Sequence, residues 1–201
     1  MKKGLVIGLS IAGLLIFFVI LLFSWGISVY NTLVTMDEQV TSSWSQVQNQ
    51  YQRRADLVPN LVNTVKGVAN FEKETYTAVT EARSKVNQIN MSPEILNNPQ
   101  MFQQFQQAQD GLSSALSRLL VTVEAYPQLK ANENFLQLQS QLEGTENRIS
   151  VERKKFNESV QSYNTRLRKF PGSIIAGFTG FSQKQYFKAS EAAQQVPQVQ
   201  F

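Results

Sequence analysis

Residues Leu5 to Phe23 form one apolar run broken only by small residues and Ser10, and no other stretch constrains the chain as strongly. At 1.5 Å per helical residue, about 20 such residues reach roughly 30 Å, the thickness of a hydrocarbon core. A buried core helix is a poor alternative, because no polar residue marks a solvent-facing side. A cleaved secretory signal is the stronger rival: Lys2 and Lys3 come first, and Ser24-Trp25-Gly26 offers small residues near a cleavage position. The run is longer than a signal's usual apolar region of about 7–15 residues, and a helical pattern follows it without a polar break. The expectation is a retained anchor over 4–27, a short N-terminus over 1–3 and a helical domain over 28–201. Acylation of a lipoprotein cysteine is excluded, since the chain has none.

Charge bias gives a direction. Lys2 and Lys3 flank one end of the run, no Lys or Arg falls between Phe23 and Arg53, and the first charges beyond are Asp37 and Glu38. The positive-inside rule then expects the N-terminus in the cytoplasm and the domain outside. From Ser24 onward 17 basic residues face 15 acidic ones, too even a balance for a nucleic-acid binder. Six glutamines between Gln100 and Gln109 read as a solvated helix face.

Past the anchor, apolar positions recur in steps of three and four. One series, seven apart, is Tyr30, Asp37, Trp44, Tyr51, Val58, Val65, Glu72, Val79 and Val86; its companion is Leu33, Val40, Val47, Arg54, Leu61, Val68, Thr75, Ala82 and Ile89. Such phase predicts one long helix, close to 90 Å if unbroken, with a single buried seam. Pro59 lies inside it, and because the phase passes through unshifted, a kink is expected there rather than a loop. The pattern stops over Asn90–Asn98, where Ser92-Pro93-Glu94 resembles a cap and first turn. A second helix stripes Phe102, Phe105, Gln109, Leu112, Leu116, Leu119, Val123 and Tyr126, up to Pro127. A third carries Phe135, Leu142, Ile149, Phe156, Tyr163 and Phe170 at sevens, with Leu138, Val160 and Leu167 beside them, and stops at Pro171-Gly172. An apolar stretch, Ile174 to Phe181, and a weak helix around Lys184 to Gln195 follow. No strand-like alternation occurs, so an all-α antiparallel bundle is expected behind a transmembrane helix.

Catalytic signatures are sparse. Without His or Cys there is no Ser-His-Asp triad, thiol nucleophile or common zinc site, and no glycine-rich phosphate loop is present. Glu72, Glu124, Glu146 and Glu152 are the carboxylates a metal site would draw on, but paired Glu-x-x-His elements cannot be built. No enzyme, cofactor, metal or small-molecule substrate is expected. Asp37, Arg54 and Glu72 stand at seam positions, either as a buried polar cluster or as interhelical ion pairs, for instance Arg54 with a carboxylate of the third helix. Arg148, Arg153, Lys154, Lys155, Arg166, Arg168 and Lys169 outnumber Glu152 and Glu158 along that helix. They form either a basic contact face for anionic lipid or an acidic partner, or a solvated face.

Several motifs together resemble the LemA family over nearly the whole chain. They are Tyr30-Asn31-x-Leu33-Val34, Trp44, Arg54-x-Asp56-Leu57-x-Pro59-Asn60-Leu61-Val62, Val65-Lys66-Gly67, Glu72 and Ala82-Arg83 in the first half. The second half adds Leu119-Leu120, Glu124-x-Tyr126-Pro127-x-Leu129-Lys130, Phe135, Leu138, Glu143-Gly144-Thr145-Glu146-Asn147-Arg148-Ile149, Arg153, Phe156-Asn157, Tyr163-Asn164, Phe170-Pro171 and Tyr186-Phe187. The resemblance implies one membrane span and a four-helix up-and-down bundle, with no established enzymatic activity. Relatives often carry Tyr and His where this chain has Val68 and Phe71, so no role resting on that His transfers. Family genes near envelope components, and relatives linked to specialised membrane compartments, imply an adaptor or scaffold. Two functions are carried forward: a membrane-anchored scaffold that self-associates or recruits another envelope protein, and a lipid- or polymer-binding module using the basic third helix and apolar tail.

Overall fold

The computed structural model describes residues 2–68 and 71–188, with residues 2, 3, 5 and 6 described by their backbone alone. Among the described residues there are helices and no strands: α1 (Lys2–Lys66), α2 (Lys73–Asn87), a 3₁₀ turn (Pro93–Asn97), α3 (Pro99–Val123), α4 (Pro127–Lys130), α5 (Glu133–Arg168) and α6 (Gly172–Thr179). α1 leaves the apolar run exposed and then buries Val29, Leu33, Val40, Trp44, Val47 and Tyr51 on one stripe. One helix thus changes from exposed and apolar all round to amphipathic, with no joint between.

Contacts fix the directions. Trp25 meets Phe170, Ser43 meets Ser159 and Arg54 meets Glu146, so α5 runs antiparallel to α1. Trp44 Nε1 reaches the Met91 carbonyl, Ala55 pairs with Arg83 and Lys66 sits over the Tyr76 ring, so α2 also descends along α1. Trp44 packs on Phe102 and Phe105 while Arg54 reaches Gln109 and Ser113, so α3 ascends with α1. Four long segments therefore alternate up, down, up and down, and the short α4 and α6 are additional to them.

Pro59 does not interrupt α1. It has no N–H to offer the Ala55 carbonyl four residues back. Arg83 of α2 fills that vacancy, its Nε donating to Ala55 O at 2.8 Å. The break expected least comes instead at Gly67, where α1 ends and the chain turns back into α2, so the 60-residue rod of the periodicity is two antiparallel helices. Glycine is a poor helix former, and Phe71 anchors the reversal by turning into the far core against Tyr126, ring centroids 4.8 Å apart. Phase survives because α2 also buries a seven-spaced pair, Val79 and Val86.

Two further expectations move. Ser92-Pro93-Glu94 opens the 3₁₀ turn, whereas α3 starts at Pro99 under Asn98, whose side chain accepts from the Gln100 and Met101 N–H groups at 3.1 Å. Residues 181–188 form neither helix nor strand; the remainder of the weak helix expected to Gln195 lies outside the described residues. The stripes of α3 and α5 are buried as the spacing predicts, except Tyr126 and Leu138, which are half-buried, and Phe170, which lies past the end of α5 and is exposed.

Candidate functional site

Among the described residues Arg54 is the most deeply buried charge, with 1% of its surface exposed. Its guanidinium donates to Ser113 Oγ at 2.6 Å, Glu146 Oε1 at 2.7 Å and the Gln109 carbonyl at 3.2 Å, and also to the Gln109 side-chain oxygen. The Tyr51 ring lies 5.1 Å from it. Such a layer needs residues from α1, α3 and α5 at one height, so it fixes how the three helices are aligned. It also divides the core. One apolar cluster, around Trp44, Phe105 and Phe156, ends at Tyr51; the other, around Leu61, Leu112 and Phe135, begins at Val58.

The other two seam charges lie elsewhere, so Asp37, Arg54 and Glu72 do not form one cluster. Glu72 is exposed at the start of α2. Asp37 is half-buried, and its Oδ1 lies 2.7 Å from Lys184 Nζ, a lysine only 9% exposed. Tyr163 stands beside this pair, donating its hydroxyl to the Ser182 carbonyl at 3.1 Å. Burial, and then the neighbouring Asp37 carboxylate, push its phenol well above the ordinary tyrosine range. Burial likewise raises Tyr51.

Lys184 belongs to a strap, residues 181–188, held on the bundle by a ladder of side-chain amides. Asn164 donates to the Lys184 carbonyl and accepts its N–H, both at 3.0 Å. Asn157 does the same for Phe187 at 3.0 and 2.9 Å, and Gln106 for Lys188 at 2.9 and 3.3 Å. These amides pair backbone groups that a helix would have paired within itself, so the strap needs no regular structure of its own. Phe187 enters the aromatic core, 5.0 Å from Phe102 and 5.5 Å from Phe156, while Arg153 lies over its other face at 4.5 Å. The recurrence of aromatic-Asn at Phe156-Asn157 and Tyr163-Asn164 was the sequence signal for this arrangement.

The seven basic residues are not one face. They span 148 to 169, roughly 30 Å of α5. Arg148 is exposed, Arg153 is committed to Phe187 and the Lys188 carbonyl, and Lys155 and Lys154 pair with Glu152 at 2.8 Å and Glu158 at 3.9 Å. Arg166, half-buried, and Arg168 and Lys169, exposed, gather where α5 ends. There the chain passes a cis Phe170–Pro171 bond and folds α6 back tightly. A Cβ on Gly172 would overlap the Arg166 carbonyl, so only glycine fits the elbow. Of the carboxylates considered for a metal, Glu124 pairs with Lys130, Glu146 with Arg54 and Glu152 with Lys155.

Taken together, these features define an all-helical protein carrying, among its described residues, one helix long and apolar enough to cross a membrane. The LemA family model matches residues 43–201, and the chain belongs to that family. It is 27% identical over 179 residues to "Magnetosome protein MamQ 2" of Paramagnetospirillum magneticum, covering 81% of this chain and 66% of that one. It is 27% identical over 204 residues to "Magnetosome protein MamQ" of Magnetospirillum gryphiswaldense, covering 94% and 73%. "Protein LemA" of Metamycoplasma hominis is 25% identical over 186 residues, covering 87% and 80%. The chain thus spans about two thirds of the length of the first of these relatives.

Proposed function

We propose that this chain is a non-enzymatic, membrane-anchored helical scaffold of the bacterial cell envelope, acting by self-association or by recruiting another envelope protein. The carrying observation is the continuity of α1 from Lys2 to Lys66, which joins the apolar span to the bundle without a linker. A jointless helix holds the bundle at a set angle to its anchor, and anchoring confines partners to two dimensions, raising their effective concentration. Relatives named as magnetosome proteins support a role within an assembly. The N-terminus with Lys2 and Lys3 faces the cytoplasm of the inner membrane in this reading, and the bundle faces outward.

The other function, a lipid- or polymer-binding module along α5, rests on less, because its basic residues are split among the strap, intrahelical pairs and the base. Mild-detergent extraction of the full chain from cells, with cross-linking and mass measurement, tests the scaffold. A discrete oligomer or a stoichiometric complex is expected. A strictly monomeric particle with no co-purifying protein contradicts it.

A further inference from the structure

The base of the bundle carries an apolar patch that the rest of the described chain leaves largely open. Phe170, Ile174 and Phe178, spaced four apart, are 71%, 50% and 88% exposed. On the opposite side of α6, Ala176 is buried and Ile175 and Phe181 pack on the core containing Leu33. Contiguous exposed apolar surface is unusual on a soluble face and marks an interaction site.

Its position says what covers it. Trp25 and Phe170 rings lie 5.9 Å apart, Tyr30 and Phe181 rings 5.8 Å apart, and Ile175 is the side chain nearest Gly26. α6 is therefore docked on residues 25–30 of α1, immediately beyond the apolar run. If the hydrocarbon core ends near Ser24, these residues lie about 1.5–9 Å outside it. The headgroup layer on each side of a bilayer is itself roughly 5–8 Å deep. Trp25 and Tyr30 are the residue types enriched at that depth. Arg168 and Lys169, exposed beside the patch, suit anionic headgroups there.

We propose that Phe170, Ile174 and Phe178 form a foot seated in the lipid headgroup layer, a second membrane contact that sets the tilt and height of the bundle. This rests on the membrane-spanning part of the proposed function and is separate from self-association. With α1 crossing the bilayer and the foot seated beside it in the interface, the bundle meets the membrane through two elements instead of one.

The chain has no cysteine, so single labelling sites are introduced cleanly. The full chain in phosphatidylcholine–phosphatidylglycerol nanodiscs, one copy per disc, is labelled with an environment-sensitive fluorophore at Phe178→Cys, at Val121→Cys on the far half of α3, or at Leu14→Cys in the apolar run. All three positions are largely exposed, so the fold tolerates the changes. The expected result is that position 178 is several-fold less quenched by aqueous iodide than position 121, and is quenched by lipids spin-labelled near the headgroup. Position 14 is quenched by lipids labelled deep in the acyl chain. Equal iodide access at 178 and 121, with position 14 still lipid-quenched, overturns the foot and leaves the anchor standing. Protection at 178 that appears only when discs hold two copies also overturns it, and assigns the patch to a second chain. A position 14 that no lipid quencher reaches overturns the anchor and the foot together.

Discussion

Removing Glu146 should harm the protein more than removing Arg54, although Arg54 is the buried partner. The Glu146 side chain is 42% exposed and that of Arg54 only 1%. In Arg54→Met, a flexible apolar side chain fills much of the guanidinium's space, and Glu146 turns to water at little cost. The loss is not free, because the buried Gln109 side-chain oxygen is left without its donor, so about 1–2 kcal/mol is expected. In Glu146→Ala the guanidinium stays buried with Ser113 and Gln109 but without its counter-charge. Breaking a fully buried pair costs about 3–5 kcal/mol. Solvent screening at the half-exposed carboxylate lowers this to roughly 2–3 kcal/mol. The double variant should recover to the level of Arg54→Met, a coupling of about 2 kcal/mol. Urea unfolding in mild-detergent micelles measures this, with Trp44 fluorescence as reporter in a Trp25→Phe background. At about 2–4 °C per kcal/mol for a chain of this size, Glu146→Ala should lower Tm by roughly 4–12 °C. If Arg54→Met costs as much as Glu146→Ala, or if the double variant shows the sum of both losses, the asymmetry argued from exposure is wrong.

Asn157→Ala should cost about 1–3 kcal/mol, because it leaves the Phe187 N–H and carbonyl unpaired beside the core; a red-shifted Trp44 emission reports the strap's release, and unchanged stability would refute the ladder. Arg83→Ala should cost about 1–2 kcal/mol in the natural background and distinctly less in a Pro59→Ala background, where residue 59 regains the N–H that binds the Ala55 carbonyl; a double-mutant cycle by urea unfolding measures the difference. Alkaline stability should follow the buried phenols. Tyr163 and Tyr51 are raised when folded, so their protonated forms favour the folded state below the unfolded value near 10. Above it the unfolded chain releases protons that the folded chain keeps, and stability falls as pH rises. Tyr163→Phe should flatten that decline in a pH series of thermal melts.

Much of the architecture was legible because apolar spacing is a local property. The α3 stripe from Phe102 to Val123 and the α5 stripe from Phe135 to Leu167 follow directly from the spacing, and an Arg54 partner on the third helix follows from one polar residue in a seam. The break at Gly67 was hidden, because two antiparallel helices packed on one core both require spacing of seven, so phase alone cannot separate them from one rod. That α1 runs through Pro59 was legible from the unshifted phase, but what satisfies the freed Ala55 carbonyl was not, because its donor, Arg83, is 28 residues away. The strap was misread because its backbone partners, Gln106, Asn157 and Asn164, lie 20 to 82 residues from it. Charge counted along the chain placed no cation just outside the span. Folding brings Phe170, which follows Arg168 and Lys169 directly, against Trp25.

The central claim is that one helix carries the membrane span into the bundle without a joint, and a single distance tests it. Spin labels at Leu14→Cys and Asn49→Cys, 35 residues apart on α1, should be about 52 Å apart along a continuous helix. Pulsed electron–electron resonance on the full chain in nanodiscs, with one copy per disc, should give one narrow distribution near that value. A broad distribution, or a mean many ångströms shorter, would put a hinge between span and bundle and contradict the account.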